Sequence, residues 1–535
     1  MTDNSRLASL HLPDDLSSSY RNLLKRLRDG RVIERIWERD YTVWRPEPAE
    51  IENRLGWLDL PDTFRKRVLA LPEELRFAMD GSIQDLVLLG MGGSSLCPLV
   101  LSECVGARMG HPKLHVLDTT VPSTLEKVTK GVDLSKTLFL VSSKSGGTIE
   151  VASGFEYFFD AVSKISLRPG AQFIAITDPG TGLAQLAEER GFATIFENPA
   201  DIGGRFSALS YFGMVPAALL GLDLEKIFDR AADLAEACRS EDPGENPGAQ
   251  LGAFLAACYD NGRDKLTLQT SPGYDTVGLW IEQLLAESTG KEEKGILPLA
   301  QEPRVEPWAY GNDRAFAVLK SKDDDFLSGW IRGLEKNGYP VVAIEINDPL
   351  ALGAEFFRWE FATAVVSHFL DIHPYDQPNV EESKKLSRAI LGDPSLTEPD
   401  SLSLAELLEG IKLGDYFAIL AYLDEAPDTH RALAELREAV LKSKKVATTL
   451  GYGPRYLHST GQYHKGGPNT GVFLQIVEED PTDVPIPSKD YGFAKLCAAQ
   501  ALGDFQALTQ RGRRVARVKV GKNPAAEIGA LASKV

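Results

Sequence analysis

The chain has few cysteines, and none of them are spaced as disulfide frameworks or metal sites require. Its 535 residues contain five, Cys97, Cys104, Cys238, Cys258 and Cys497, and no two are spaced C-x-x-C. An odd number of scattered cysteines predicts neither a disulfide framework nor a zinc site. It is typical of small buried side chains in a reducing compartment, so we expect no bound metal and a cytoplasmic location.

The sequence also lacks long apolar runs. The longest uncharged stretches, residues 86–102 and 206–222, both contain Gly and Pro. They fall short of the ~20 apolar residues that a membrane-spanning helix needs. Residues 1–30 carry scattered charges instead of the basic and then apolar layout of a secretory signal. The sequence therefore predicts no membrane partner.

Basic residues do not outnumber acidic ones, and the formal net charge is -18. Nucleic acids and anionic membranes are polyanions that favour basic surfaces, so neither is expected as the main partner. A small phosphorylated molecule remains compatible with this charge, because a local group of amide N–H donors, hydroxyls and one or two cations can hold a phosphate.

What the chain does contain is the pattern of several α/β domains. Hydrophobic residues make up 43% and charged residues 25%, the balance of a folded globular protein. Short apolar, β-branched runs alternate with amphipathic stretches, which predicts parallel, doubly wound sheets. The predicted strands are residues 85–89, 114–117, 137–142, 173–177, 194–196, 265–269, 315–319, 341–346, 472–477 and 515–520, with a helix over 491–509.

Two stretches rich in turn residues, 241–248 and 392–403, predict linkers. We therefore expect a helical N-terminal segment at 1–75, a first doubly wound α/β domain at 76–242 and a second at 249–392. Helical sequence and an extra α/β unit at 403–535 complete the predicted organisation.

Two clusters rich in glycine and serine follow predicted strands. GMGGSS, residues 90–95 with Gly93 and Ser94, lets the backbone approach an anion ahead of a helix. It does not match G-x-G-x-x-G, yet Asp118 ends the next strand where a nucleotide-binding domain would hold a ribose. A dinucleotide site is thus an open alternative to a phosphate site.

The second cluster, SSKSGGT at residues 142–148, joins four hydroxyls, one lysine and two glycines at the start of a predicted helix. Such a turn can donate side-chain and main-chain hydrogen bonds to a phosphate, with Ser143, Lys144, Ser145 and Thr148 as the side-chain donors. An ordinary helix cap would use similar residues, but two such clusters at the carboxyl ends of strands in one sheet favour a ligand site.

Three further segments carry candidate catalytic groups. DIGGRFS, residues 201–207, places Arg205 where its charge could stabilise an oxyanion. QLLAESTGK, residues 283–291, puts Gln283 and Glu287 on one face of a helix, with Glu287 as a candidate general base. DQPNVEESK, residues 376–384, has the composition of a capped helix start, which leaves Gln377 and Lys384 unexplained.

Taken in order, these motifs resemble those of the glucose-6-phosphate isomerase family, from about residue 85 to residue 386. The resemblance implies two sugar-isomerase (SIS) domains, a phosphate site in the first and a homodimer with active sites near the subunit interface. It assigns the phosphate to Ser94, Ser143, Lys144, Ser145 and Thr148 and the sugar to Gln283, Gln377 and Lys384. Arg205 would then stabilise an enediolate and Glu287 would move a proton between C1 and C2, with no cofactor.

The histidine that opens the sugar ring in this family is not at its usual position in this sequence. Residues 295–338, between the ESxGK and DQ motifs, contain no histidine. In some bacterial members the histidine lies in a Leu-His-Ser-x-Gly-Gln segment, and LHSTGQ occurs here at residues 457–462. The resemblance therefore assigns ring opening to His458, assisted by Lys384, with His373 and His464 as alternatives. The tail also resembles the isomerase part of bifunctional transaldolase/glucose-6-phosphate isomerase fusions.

The resulting hypothesis is reversible conversion of glucose 6-phosphate to fructose 6-phosphate, an aldose–ketose isomerisation of a hexose phosphate. A non-catalytic sugar-phosphate sensor with the same fold is one alternative, and a dual phosphoglucose/phosphomannose isomerase is another. A nucleotide-dependent oxidoreductase built on GMGGSS and Asp118 is a third. The motifs leave three questions open: whether mannose 6-phosphate is accepted, which subunit supplies His458, and whether a transaldolase is associated.

Overall fold

The computed structural model of the chain describes residues 7–79, 81–393 and 398–535. Residues 1–6, at the start of the segment inspected for a secretory signal, lie outside the described residues. So do residue 80 and residues 394–397 of the predicted linker 392–403. The described residues form three mainly parallel sheets flanked by helices.

The strands, numbered along the chain, are β1 Ser9–His11, β2 Asp85–Gly90, β3 Lys113–Leu117, β4 Thr137–Ser142, β5 Phe173–Thr177, β6 Thr194–Glu197, β7 Lys265–Thr270, β8 Leu297–Leu299, β9 Arg314–Lys320, β10 Val341–Glu345, β11 Tyr416–Tyr422, β12 Ala447–Tyr452, β13 Gly471–Glu478 and β14 Arg514–Val520. Every strand expected from the sequence is present, with ends that differ by one residue or none. The mixed α/β class with doubly wound parallel sheets is thereby confirmed.

The helices are α1 Asp14–Asp29, α2 Val32–Trp37, α3 Arg65–Glu74, α4 Leu96–Cys104, α5 Pro122–Gly131, α6 Ile149–Ser163, α7 Gly182–Glu189, α8 Tyr211–Leu219, α9 Leu224–Ala237, α10 Pro247–Asp260, α11 Asp275–Thr289, α12 Asp325–Lys336, α13 Leu352–Leu370, α14 Val380–Gly392, α15 Leu404–Glu409, α16 Pro427–Lys444, α17 Gly461–Gly466, α18 Phe493–Gln510 and α19 Pro524–Ala532. Short 3₁₀ turns connect several of them.

The first sheet has the strand order β3-β2-β4-β5-β6, and all its strands are parallel. Strand β4 is buried along its whole length because helices cover both faces, as is usual for a parallel sheet. The order reverses between β2 and β4. In open α/β sheets the crevice at the carboxyl ends of the strands beside such a reversal is where ligands bind.

The second sheet has the order β1-β10-β9-β7-β8, with β1 as an antiparallel edge strand. Residues 9–11 thus form a strand within a segment expected to be helical. Three residues are too few for the alternation by which a strand is recognised. Helix α13 packs against α10 and α9, and its residues from Leu352 to Ser367 are buried on every side, as expected of a core helix.

The third sheet, β12-β11-β13-β14, is entirely parallel and includes two strands that the sequence analysis missed, β11 and β12. The segment after the predicted linker was expected to be helical. Strand β11, YFAILAY, is an uninterrupted buried run, and such a run cannot be told from a buried helix by periodicity. The unit after residue 403 is therefore a complete doubly wound sheet, larger than one strand-helix-strand element.

The three units share their packing surfaces. One hydrophobic cluster runs from Leu16 through the cores of the first two sheets to Tyr375. Helix α18 of the third unit packs on α14, and its residues Phe493 and Leu496 join the core of the first unit. Within the described ranges, no helix is long and apolar enough to cross a membrane.

Candidate active site

The two loops rich in glycine and serine lie side by side in the crevice of the first sheet. Gly90, the last residue of β2, pairs with Ser142, the last residue of β4. The loops that follow therefore leave the sheet from adjacent positions, where its order reverses. Helices α11 and α14 and the turn at residues 455–458 complete the walls of a cavity there.

This cavity has a volume of about 560 Å³. It brings together every residue that the sequence analysis assigned to the site except Ser143: Gly93, Ser94, Lys144, Ser145, Thr148, Arg205, Gln283, Glu287, Gln377, Lys384 and His458. Ser143 is buried behind the wall, where its Oγ lies 3.1 Å from Oγ1 of Thr148. All of these groups belong to one chain.

The turn after β4 leaves donors available for an anion. Gly146 has a φ of +67°, and a Cβ there would lie 2.9 Å from the Leu183 nitrogen, so the turn requires glycine. Thr148 precedes α6, but its side chain does not cap the helix. Thr148 therefore leaves the N-terminus of α6 uncapped, and the first N–H groups of a helix attract anions.

Lys144 lines the cavity but is already engaged. Its ammonium forms an ion pair with Asp178 and donates to the carbonyl oxygen of Ala200 at 3.4 Å. Burial raises the pKa of Asp178 despite the charge of Lys144. An anion in the cavity would therefore compete with a poorly solvated carboxylate for the lysine.

The glycines of GMGGSS serve close contacts between loops. A Cβ on Gly93 would lie 1.9 Å from the carbonyl oxygen of Gly204, in the loop that carries Arg205. Gly92 has a φ of +55°, and a Cβ there would lie 2.6 Å from the side-chain nitrogen of Gln283. These positions admit no larger residue, because the loop packs directly against the groups that line the cavity.

Arg205 is the most firmly held cation of the site, with 3% of its surface exposed. Its Nε donates to Ser288 Oγ at 2.7 Å, and its Nη2 donates to the carbonyl oxygens of Pro374 and Asp376. Burial lowers the pKa of Arg205, although neighbouring anions oppose the shift. The fixed guanidinium is thus a preorganised positive charge that needs no rearrangement to meet a developing anion.

Glu287 faces this guanidinium. Oε1 of Glu287 lies 3.4 Å from Nη1 of Arg205, and the same Nη1 donates to the side-chain oxygen of Gln377 at 3.0 Å. Gln283, one helical turn earlier on α11, donates from Nε2 to Glu287 Oε2 at 3.2 Å and to the carbonyl oxygen of His458 at 2.9 Å. The carboxylate is therefore buried and oriented on both oxygens.

His458 closes the cavity from the third unit. It lies in the 3₁₀ turn Arg455–His458 that follows β12, and its Nε2 lies 3.1 Å from Oε1 of Glu150 on α6. Burial would raise the pKa of Glu150, but the charge and hydrogen bond of His458 hold it below its usual range. His458 lines the cavity, and its other ring nitrogen, Nδ1, has no hydrogen-bond partner within the described part of the chain.

The two alternative histidines lie elsewhere. Nε2 of His373 is 3.0 Å from the carbonyl oxygen of Ala49, and its Nδ1 accepts from backbone N–H groups of Tyr375 and Asp376. His464 is 1% exposed, with Nδ1 3.1 Å from the Tyr416 hydroxyl, and burial lowers its pKa far below the usual value. Neither histidine lines the cavity, so both contacts are structural.

Lys384 lies at the opposite wall, on α14. Its ammonium pairs with Glu381 Oε1 at 2.8 Å, and its side chain is 40% exposed. No direct contact joins it to Glu287 or Arg205 among the hydrogen bonds of the described chain. Lys384 is thus the least fixed of the candidate catalytic groups.

Sequence reasoning missed several charged residues around the site. Arg54, Asp178, Glu381 and Arg388 also line the cavity. Lys291 lies just behind it, with 2% exposure, and donates to Asp376 Oδ1 at 2.7 Å and to the carbonyl oxygen of His373. Burial and the charge of Arg205 lower the pKa of Lys291 to about 7. Lys291 ends the motif QLLAESTGK, and Glu150 follows the motif SSKSGGT by two residues; these positions were the only signal for either residue in the sequence.

The described residues contain no group of three or more His, Cys, Asp or Glu side chains arranged to hold a metal ion. The arrangement that is present suits proton transfer at a bound anion. The buried carboxylate of Glu287 faces the buried guanidinium of Arg205, and the His458–Glu150 pair lies nearby. The turn at residues 142–148, which we call the anion cradle, lies at the other end of the cavity.

Comparison with known proteins agrees with this geometry. A family model described as phosphoglucose isomerase matches residues 70–296. Glucose-6-phosphate isomerase of Clostridium novyi is 28% identical over 395 residues, which cover 64% of this chain and 87% of that protein. Glucose-6-phosphate isomerase of Rubrobacter xylanophilus is 28% identical over 430 residues, covering 71% of this chain and 99% of the relative.

Solved structures share the fold. A hypothetical protein from Thermus thermophilus has a TM-score of 0.60 at 23% identity and covers 72% of this chain and 100% of that one. A glucose-6-phosphate isomerase from Chlamydia trachomatis has a TM-score of 0.61 at 18% identity, covering 71% of this chain and 86% of that chain. Over residues 70–296 the chain is therefore similar to phosphoglucose isomerases, in agreement with the motif series and the cavity.

Proposed function

We propose that this chain is a glucose-6-phosphate isomerase, an aldose–ketose isomerase that interconverts glucose 6-phosphate and fructose 6-phosphate through a cis-enediolate. The observation that carries the proposal is the pairing of Glu287 with Arg205 in the same cavity as the anion cradle. A carbon acid needs a buried base beside a fixed positive charge, and a phosphorylated substrate needs a separate anchor.

The residues take the following roles in the proposed reaction. The turn from Lys144 to Thr148, with Ser94, holds the phosphate at the N-terminus of α6, and Ser143 supports this turn through Thr148. His458, assisted by Lys384, removes the proton from the C1 hydroxyl and protonates the ring oxygen, which breaks the ring bond and gives the open-chain aldehyde. Gln283 and Gln377 orient the reacting groups.

Proton transfer follows from the open chain. Glu287 takes the proton from C2, and the negative charge that develops on O1 and O2 faces the guanidinium of Arg205. The proton on O2 passes to O1 and Glu287 returns its own proton to C1, which leaves a hydroxyl at C1 and a ketone at C2. Phosphate contacts far from these carbons supply binding energy that positions the substrate, so their loss lowers turnover as well as affinity.

The test is solvent deuterium incorporation into the sugar, followed by NMR while fructose 6-phosphate is isomerised in D₂O. Wild type should form glucose 6-phosphate with deuterium entering at the carbons between which the proton moves. Glu287→Gln should reduce both isomerisation and exchange by roughly 10²–10⁴-fold, the usual contribution of a general base. Exchange at the wild-type rate in this variant would refute the assignment of the base.

The alternative of a nucleotide-dependent oxidoreductase loses support from two contacts. Asp118, the residue that would bind a ribose, is 1% exposed and accepts a hydrogen bond from Arg455 Nε at 2.8 Å. The glycines of GMGGSS pack against the Arg205 loop and Gln283. A sugar-phosphate sensor would need the cradle but not the Glu287 and Arg205 pair, and the deuterium experiment separates it from an enzyme.

The proposal also covers the subunit that supplies His458, the oligomeric state, the cellular compartment and a second substrate. Since His458 and Glu287 line one cavity within a single chain, we propose that His458 acts on the sugar bound by its own subunit. A homodimer and a cytoplasmic setting are proposed from the family resemblance and from the free cysteines. Activity with mannose 6-phosphate is the second candidate, tested by the same NMR assay with that sugar.

A further inference from the structure

A chain of buried hydrogen bonds runs from the first sheet to the candidate ring-opening histidine. Oγ1 of Thr120 donates to Oε1 of Gln500 at 2.7 Å, and Nε2 of Gln500 donates to Oε1 of Glu150 at 2.7 Å. That same carboxylate oxygen lies 3.1 Å from Nε2 of His458. The four side chains come from four separate elements: the loop after β3, helix α18, helix α6 and the turn after β12.

The intermediate groups are largely buried, although Glu150 and Gln500 line a small cavity of about 70 Å³ beside His458. Thr120 is 0%, Gln500 3% and Glu150 8% exposed. An ionised carboxylate can only accept hydrogen bonds, and Oε1 of Glu150 accepts from the imidazole of His458 and from the amide of Gln500. Because Thr120 holds the oxygen end of the Gln500 amide, the NH₂ end must face Glu150.

We propose that Gln500 is a positioning residue for ring opening, which fixes the Glu150 carboxylate so that it presents His458 to the sugar in one orientation. The proposal rests on the function proposed above. With Glu150 held by two donors, Nε2 of His458 is committed to the carboxylate, and Nδ1 is the nitrogen available for proton transfer. Hydrogen-bond partners that fix the tautomer and ring orientation of a functional histidine act in this way.

The arrangement also gives the third unit a part in the site. His458 and Gln500 both belong to this unit, while Thr120 and Glu150 belong to the first. Arg455 strengthens the same junction, since it pairs with Asp118 at the end of the β3 strand region.

The test compares two substitutions of buried glutamines in the third unit. Gln500→Met removes the amide at similar volume. Gln475→Met is the matched control, because Gln475 on β13 is also buried and donates only to the carbonyl oxygen of Ala501 at 2.9 Å. Ring opening is measured as the enzyme-dependent acceleration of exchange between the α and β anomers of glucose 6-phosphate, by magnetisation-transfer NMR.

We expect Gln500→Met to slow anomer exchange roughly 10- to 100-fold, the range found when partners that orient a histidine at metal sites are removed. Its KM should stay close to the wild-type value while kcat falls. The Nε2–H proton resonance of His458, identified by its loss in His458→Gln, should broaden or vanish. Gln475→Met should keep the wild-type exchange rate and resonance. Thr120→Val, which frees the amide oxygen, should show the same changes at a smaller size.

Anomer exchange in Gln500→Met that is no slower than in Gln475→Met would overturn the proposal, as would an unchanged His458 resonance. If Gln500→Met fails to fold, Thr120→Val decides by the same criteria. A wild-type protein that accelerates neither isomerisation nor anomer exchange would instead refute the proposed function. The two failures are therefore distinguishable.

Discussion

The two halves of the candidate site are built in different ways. In the half around Glu287 and Arg205, one guanidinium is held by a hydroxyl, an amide oxygen and two backbone carbonyls. In the half around His458, the imidazole rests on a single carboxylate that is itself held by a bridge between two units. The first half joins the Arg205 loop, which follows β6 of the first sheet, to α11 of the second unit, and the second half joins α6 of the first unit to the turn after β12 of the third.

This difference matches the chemical demands of the two proposed steps. Stabilising an enediolate requires a fixed charge, because any reorganisation of the site would reduce the stabilisation. Opening the ring requires a group that gives and takes protons, which needs orientation more than a fixed charge. The comparison predicts that changes in the first half affect proton transfer between carbons, whereas changes in the second affect ring opening.

The largest effect after loss of Glu287 itself should come from Arg205→Lys. Lysine keeps the charge but cannot reproduce the planar fork that bonds Ser288, Gln377 and the two carbonyls. We expect kcat to fall about 10²–10³-fold, as when an oxyanion donor is removed. Steady-state kinetics with fructose 6-phosphate measure this.

Arg358→Lys is the matched control for that variant. Arg358 is a fully buried arginine on α13, paired with Glu355 at 3.0 Å and outside the cavity. It should lose stability while kcat of the folded protein stays near the wild-type value. Equal losses of kcat in the two variants would contradict a special role for Arg205.

A smaller effect is expected for His458→Gln, which keeps a donor near Glu150 but cannot exchange protons. Enzyme-dependent anomer exchange of glucose 6-phosphate should fall by about 10²-fold, at the lower end of general acid–base contributions because Lys384 remains. His464→Gln serves as the control, since His464 is buried away from the cavity. An unchanged anomer exchange rate in His458→Gln would remove the histidine from ring opening.

The smallest effect concerns pH and Lys291, in the first half. Its pKa is lowered to about 7 in the fold, below the ~10.4 of an unperturbed lysine. Between these values the unfolded chain binds more protons than the folded one, so this group makes stability rise with pH across that window. Below about pH 7 both states carry the proton, and the slope from this group vanishes.

Urea unfolding of wild type and Lys291→Met from pH 6 to pH 10 measures this contribution. The free energy of unfolding of wild type, relative to the variant, should increase from about pH 7 upward. A relative stability that stays flat or falls over that window would show that the ammonium keeps its proton in the fold.

The sequence was most informative where local patterns determine structure. Strand β4 and its serine-rich turn were predictable because an apolar run ending in Ser and Gly residues has a defined geometry. Glu287 and Gln283 were predictable as a pair because helical spacing places them on one face. The ordered motifs then indicated the family.

Other features depend on contacts between distant residues. The need for glycine at position 93 arises from Gly204, which lies in another loop, so the motif alone left a nucleotide site open. Strand β11 has no alternation because both of its faces are buried. Gln500 is separated from Glu150 by 350 residues, and no spacing rule connects them.

For His458, a local sequence pattern and contacts between distant residues both matter. Its motif was visible in the sequence, but whether it reaches the site depends on β11 and β12, which position the turn at residues 455–458. The structure brings it into the cavity that Glu287 lines, despite its unusual position in the chain.

The most direct test of this division is NMR in D₂O of glucose 6-phosphate with Glu287→Gln and with His458→Gln, recording anomer exchange and deuterium incorporation in the same samples. The account predicts that Glu287→Gln retains accelerated anomer exchange but loses incorporation of deuterium. It predicts that His458→Gln loses the acceleration of anomer exchange, while molecules that open spontaneously still incorporate deuterium. Loss of both activities together in both variants would contradict the separation of the site into two halves.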